Sequence, residues 1–170
     1  MANISIALVE IKLVDNSGKD LGFNFTKLQE ESQKTYDLIM DALNDISYDV
    51  FISSTIDDNK VELGGRWAFR FNLLEWKEEM NNFVNALVVA YPMTDEIILN
   101  VFDCDDGNDW AITYTAFIKP KGVGYQIAII DEQEMSIDAI IEKHKGHYGE
   151  LNMEDEDDRS EIMWKAIEIE

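Results

Sequence analysis

Apolar and polar positions change period several times along the chain, and each change predicts an element. Residues 3–14 alternate and are rich in Ile, Val and Leu, as in a strand with one buried side. "NSGKDLG" at 16–22 is turn chemistry. From Thr26 to about Ile46 the period lengthens to that of a helix. Leu28, Ile39, Leu43 and Ile46 then share a face, with Tyr36 beside them and Thr26 as the predicted N-cap. "YDVFISSTI" (48–56) predicts a second strand and "KVELGGRWAFRFN" (60–72) a third. In the third, Val61, Leu63, Trp67, Phe69 and Phe71 point one way, and Glu62, Arg66 and Arg70 the other. A helix over Leu73–Tyr91 places Trp76, Met80, Phe83, Val84, Leu87 and Val88 in one stripe, and Pro92 ends it. Strands are predicted at 96–103, 110–119 and 124–131. A short helix about Ser136–Lys145, an acidic run and an amphipathic close, "RSEIMWKAIEI", complete the chain.

This order predicts an α+β fold. Its first six elements follow the ferredoxin-like split βαβ plan, β-α-β-β-α-β, with two helices on one face of an antiparallel sheet. The expected domains are residues 1–131, the sheet domain with added strands, and 132–170, an acidic helical extension. The segment "GGRWAFRFNLLEWKEEM" resembles the YubB-type ferredoxin-like family of phages, prophages and plasmids. The resemblance is carried by Gly65, Arg66, Trp67 and Ala68, with a helix opening near Leu-Glu-Trp, and covers roughly residues 45–118. It implies the same fold and a mobile-element origin, and brings no catalytic residues with it.

The 170 residues are 46% apolar and 11% aromatic, enough for one core without disulfides. The single Cys104 suits a reducing compartment, so a cytoplasmic location is expected. No run is long and apolar enough to span a membrane, and "MANISIALVEIKLV" lacks the basic start of a signal peptide. Charge is the outlying feature. Fourteen Lys and Arg stand against 35 Asp and Glu, a formal net charge of −21. Nucleic acid and anionic membranes are repelled by such a surface; basic proteins are attracted to it.

Familiar chemistries lack their parts. Counted as an EF-hand from Asp103, the acidic stretch "FDCDDGNDW" (102–110) puts Gly107 at position five, Asn108 at six and Tyr114 at twelve, so the calcium geometry fails. It reads instead as a hairpin loop between two strands. Cys104, His144 and His147 are too few for zinc, and "KPKGVG" lacks the Lys-Ser/Thr ending of a phosphate loop. No nucleophile elbow is present, and no catalytic residue, cofactor or metal is expected. Two alternatives stay open: a small anionic ligand held by Arg66, Arg70 and Trp67, and an enzyme using a divalent ion and a carboxylate pair that includes Asp105.

The layout of charge gives the leading expectation. Between Lys77 and Lys119 there is no basic residue, whereas Glu78, Glu79, Asp95, Glu96, Asp103, Asp105, Asp106 and Asp109 all fall there. On the first helix Glu30, Asp37, Asp41 and Asp45 fall in one arc opposite the apolar face. The tail adds Glu154, Asp155, Glu156, Asp157 and Asp158 to Glu150. Carboxylates one helical turn apart have Cβ atoms about 5–6 Å apart, and alternate strand residues are separated by roughly 6.6 Å. Both spacings are of the order of the distance between successive DNA phosphates. The expected partner is therefore a basic nucleic-acid-binding protein, such as a CRISPR effector nuclease or a restriction enzyme. The acids would take the place of phosphates in its channel.

Overall fold

A computed structural model of the chain describes residues 5–47, 49–52, 58–65, 68–105 and 110–136. The chain is α+β. It runs β1 (Ser5–Val14), α1 (Phe25–Glu31), α2 (Gln33–Asp45), β2 (Asp49–Ile52), β3 (Lys60–Gly65), α3 (Phe69–Glu75), α4 (Lys77–Ala90), β4 (Glu96–Asp105), β5 (Trp110–Lys121) and β6 (Gly124–Met135). The strands form one sheet in the order β2-β3-β1-β4-β5-β6, with every neighbouring pair antiparallel. Strand β1 thus lies between β3 and β4, and the two helical connections each pass over a strand.

Period-two alternation sets which side of the sheet is covered. Ala7, Val9, Ile11 and Leu13 of β1 share one buried cluster with Ile97, Leu99 and Val101 of β4. The same cluster takes Ile112, Tyr114, Ala116 and Ile118 from β5. All four helices contribute to it: Phe25 and Leu28; Ile39, Ala42 and Leu43; Phe69 and Leu73; Met80, Phe83, Val84 and Leu87. The stripes expected from the helical period are therefore core, apart from Trp76 and Val88, which are only half-buried.

Three boundaries differ from the sequence pattern, each for a local reason. The first helix is two helices. Ser32 closes α1, its N–H donating to Leu28 O, and opens α2, its hydroxyl accepting from Thr35 N–H at 3.3 Å. Serine favours that double role because its hydroxyl competes for backbone donors. The N-cap of α1 is Asn24, which accepts from Lys27 N–H at 2.9 Å. Thr26 instead donates to Asp58, which ties the helix to the turn before β3.

The third strand stops at Gly65, and Phe69 begins α3. Burial of Phe69, Asn72 and Leu73 follows i, i+3, i+4, and Phe71, expected on the buried side of a strand, is 46% exposed. The expected long helix consequently begins earlier and breaks at Trp76, which ends α3 and precedes α4. Glu78 and Glu79 then occupy the first turn of α4, where carboxylates suit the helix dipole.

The "KPKGVG" turn is a two-residue hairpin. Lys121 pairs with Gly124, and Gly122 takes a left-handed φ of 59° that a side chain would resist. Strand β6 continues to Met135, four residues past the expected end of the sheet domain at 131. A β-bulge interrupts its pairing with β5: Thr115 faces Ile130, but Thr113 faces Gln133. Asp131 at the bulge has φ 55°, a conformation that Asp tolerates better than most residues. The extra residue reverses the parity of the strand. Ile127 and Ile129 pack against the core before it, and Glu132 turns to the helix side after it. The predicted helix about Ser136–Lys145 and the closing amphipathic piece lie, beyond Ser136, outside the described residues.

Candidate functional site

The predicted acids separate into groups with different surroundings. Asp37, Asp41 and Asp45 are exposed on α2, opposite the buried Ile39, Ala42 and Leu43. Gln33 Nε2 donates to Asp37 Oδ1 at 2.8 Å, and no Lys or Arg among the described residues is paired with any of the three. Glu30, expected on the same arc, lies exposed on α1, across the Ser32 break. Asp95 is partly neutralised, its carboxylate 3.4 Å from Lys119 Nζ. Half-buried Glu96 begins β4 and lines an open shallow groove with Phe117, Lys119, Gln126, Ile127 and Ala128.

Strand β4 runs through the start of the acidic stretch to Asp105, which pairs with Trp110 of β5. Asp106 and Asp109 lie outside the described residues, as do Glu154, Asp155, Glu156, Asp157 and Asp158, and Arg66 and Trp67.

Asp103 corrects the sequence reading. It is not a surface acid of the loop but is fully buried, 0% exposed, on the helix side of β4. Its neighbours across the sheet are Ala7 of β1 and Ile112 of β5. The small Ala7 leaves room above it for the start of α3. Asp103 Oδ2 accepts from Arg70 N–H at 2.8 Å, and the Phe69 N–H also points to the carboxyl. Ala68, the residue in the cap position of α3, makes no side-chain cap bond. A strand carboxylate thus supplies the cap that the local sequence lacks.

Arg70 is likewise relocated. Expected on a strand face beside Glu62, it lies on α3 and makes a two-pronged pair with Glu132: Nε to Oε2 and Nη2 to Oε1, both 3.0 Å. Its guanidinium is therefore already engaged by a carboxylate, which weakens the reading of Arg70 as a clamp for an anionic ligand. Tyr114 of β5 completes the cluster, buried with its hydroxyl oxygen unpaired among the described residues.

Burial raises the Asp103 carboxyl to about 6, opposed by the backbone donors of Arg70 and Phe69 and by the Arg70 charge. Burial raises the Tyr114 phenol too, reinforced by the charge of Asp103. The tyrosine is neutral across ordinary pH, while Asp103 changes charge within it.

The cluster of Asp103, Arg70, Tyr114 and Glu132 was partly foreshadowed. Asp103 continues the inward series Ile97, Leu99, Val101, so strand parity alone places it inside. Glu132 could not be found that way, because the bulge precedes it. Among the described residues no three His, Cys, Asp or Glu side chains gather to hold a metal, and no helix is long and apolar enough to cross a membrane. No family model, curated protein or solved structure matches the chain.

Proposed function

We propose that the protein is a non-enzymatic inhibitor from a phage or other mobile element. In this reading it acts in the cytoplasm and blocks a nucleic-acid-targeting defence enzyme, a CRISPR effector or a restriction enzyme, by offering carboxylates in place of phosphates. The observation that carries the reading is the row on α2. Asp37, Asp41 and Asp45 stand exposed one turn apart, unpaired with any cation among the described residues. Like charges at this spacing oppose the helix by about 0.2–0.5 kcal/mol per pair, and a net charge of −21 adds self-repulsion. A cationic cleft would relieve both.

The burial of Asp103 removes it from the array, and Asp95 joins only by giving up Lys119. Glu96, Asp105, Asp106, Asp109 and the tail acids Glu154 to Asp158 remain as its proposed extension. The fold is read as ferredoxin-like: β1 to β4 and their helices follow β-α-β-β-α-β with β1 and β3 central, and β5 and β6 widen the sheet. That reading agrees with the resemblance to the YubB-type family.

The test is inhibition of DNA cleavage by a panel of purified effector nucleases and restriction enzymes. An inhibited enzyme should be rescued by excess DNA and by raised salt, because both compete with or screen the carboxylates. Replacing Asp37, Asp41 and Asp45 together by Lys should weaken inhibition at least tenfold with unchanged circular dichroism. Inhibition that survives this reversal at full strength would overturn the assignment of the α2 row.

A further inference from the structure

Two buried acceptors line one small cavity where β4, β3, α3 and the end of α2 meet. Asp103 is engaged through Oδ2, and its Oδ1 has no hydrogen-bond partner among the described residues. Asn72 is 3% exposed and donates from Nδ2 to Ile46 O at 2.8 Å. That bond fixes the amide orientation and leaves Asn72 Oδ1, also buried, without a donor. Both residues border a cavity of about 10 Å³ together with Ala7, Ile46, Ser47, Leu63, Gly64, Gly65 and Phe69.

The chemistry of the space is specific. Two acceptors with no donor demand a neutral species carrying two hydrogens, and the volume is of the order needed for one water centre. Hard cations need a shell of about six oxygens, more than these two side chains supply. We propose that this cavity is a binding site for one water molecule, which donates one hydrogen to Asp103 Oδ1 and the other to Asn72 Oδ1. The water joins the strand bearing the acidic hairpin to the helix it caps, and α3 in turn holds the end of α2 through Ile46. The site is independent of the proposed partner surface, since it lies inside the fold.

The experiment is water–amide NOE and ROE spectroscopy on the ¹³C,¹⁵N-labelled full chain. A long-lived internal water should give cross-peaks from the solvent line to the Arg70 N–H and the Asn72 side-chain amide, with NOE and ROE of opposite sign. The same peaks should persist in Ser47→Ala and in Tyr114→Phe, which remove the neighbouring hydroxyl protons that could relay exchange. Loss of the peaks in either variant would assign them to that hydroxyl and overturn the proposal. Their absence from the wild-type chain, with the Asp103 carboxyl carbon reporting a retained proton at pH 7, would mean a direct Asp103–Asn72 hydrogen bond and overturn it too. A third contrary result is a change in the peaks when sodium is exchanged for potassium, which would put a cation in the space.

Discussion

Asp41 and Asp103 carry the same side chain into opposite surroundings. Asp41 stands in the middle of α2, in water, with Asp37 and Asp45 one turn to either side. Asp103 stands near the end of β4, out of water, with the first N–H groups of α3 aimed at it. The helical acid has only like-charged neighbours at its turn spacing and is free to meet an outside cation. The strand acid is consumed by the fold as a cap. Acidic composition therefore mixes two populations, and the side of the element decides which residues can address a partner.

The sharpest way to break this comparison is pH. The folded-state value for Asp103 lies at about 6, above its ordinary 3.8. Its contribution to stability is therefore fully present below about pH 4 and is lost as pH rises through 6. Converted at 1.36 kcal/mol per pH unit, that window is worth at most roughly 3 kcal/mol. Asp103→Asn keeps an acceptor for the α3 donors and removes the titration. The difference in urea unfolding free energy between wild type and Asp103→Asn should change by up to that amount between pH 4 and 7, with the variant relatively more stable at pH 7. The other acids cancel in the subtraction. A difference that stays flat across the range would mean that Asp103 is not held in a desolvating site.

A smaller effect is expected from crowding the same site. Ala7→Leu would fill the space between Asp103 and Asn72 of α3, and overpacking of a core costs about 1–3 kcal/mol. Chemical denaturation should show the loss, with Arg70 and Phe69 amides exchanging faster in hydrogen-exchange measurements. The bulge gives a gentler lever. Asp131→Gly should stabilise slightly in thermal unfolding, by at most about 1 kcal/mol, because relief of the left-handed φ, about 1–2 kcal/mol, outweighs the entropy that glycine loses, about 0.5–1 kcal/mol. Asp131→Val should destabilise. At the bottom of the scale, Asp41→Asn should raise stability by no more than about 0.4–1 kcal/mol, the sum of two relieved like-charge pairs. That gain should disappear in high salt.

The legible parts of the fold were those written in periodicity. Ala7, Val9, Ile11 and Leu13 of β1 and the stripe Met80, Phe83, Val84, Leu87 face the core as their spacing demands. The misread segment, "FRFN" from Phe69, has a pattern that serves either period, since Phe69 and Phe71 alternate while Phe69, Asn72 and Leu73 are helical. What decides it is tertiary: Asp103, over thirty residues later, caps the helix that begins at Phe69. The break at Ser32 was locally readable from a serine that can cap; the Trp76 break has no side-chain cap to announce it. The exposed α2 row was visible in the sequence. The Arg70–Glu132 pair was not, because no spacing rule reaches across 62 residues and a change of strand parity.

That change of parity has a consequence for how β6 tolerates length variation. Because one surplus position at Asp131 separates its two halves, the strand behaves like two messages read in different phases. Excising Asp131 would remove the surplus position itself and leave Glu132 on the helix side, opposite Tyr114 and still toward Arg70. Removing Asp131 together with a regularly paired neighbour would instead reverse the facing of everything downstream. A single-residue deletion in this strand should accordingly be accepted more readily at Asp131 than at its regularly paired positions.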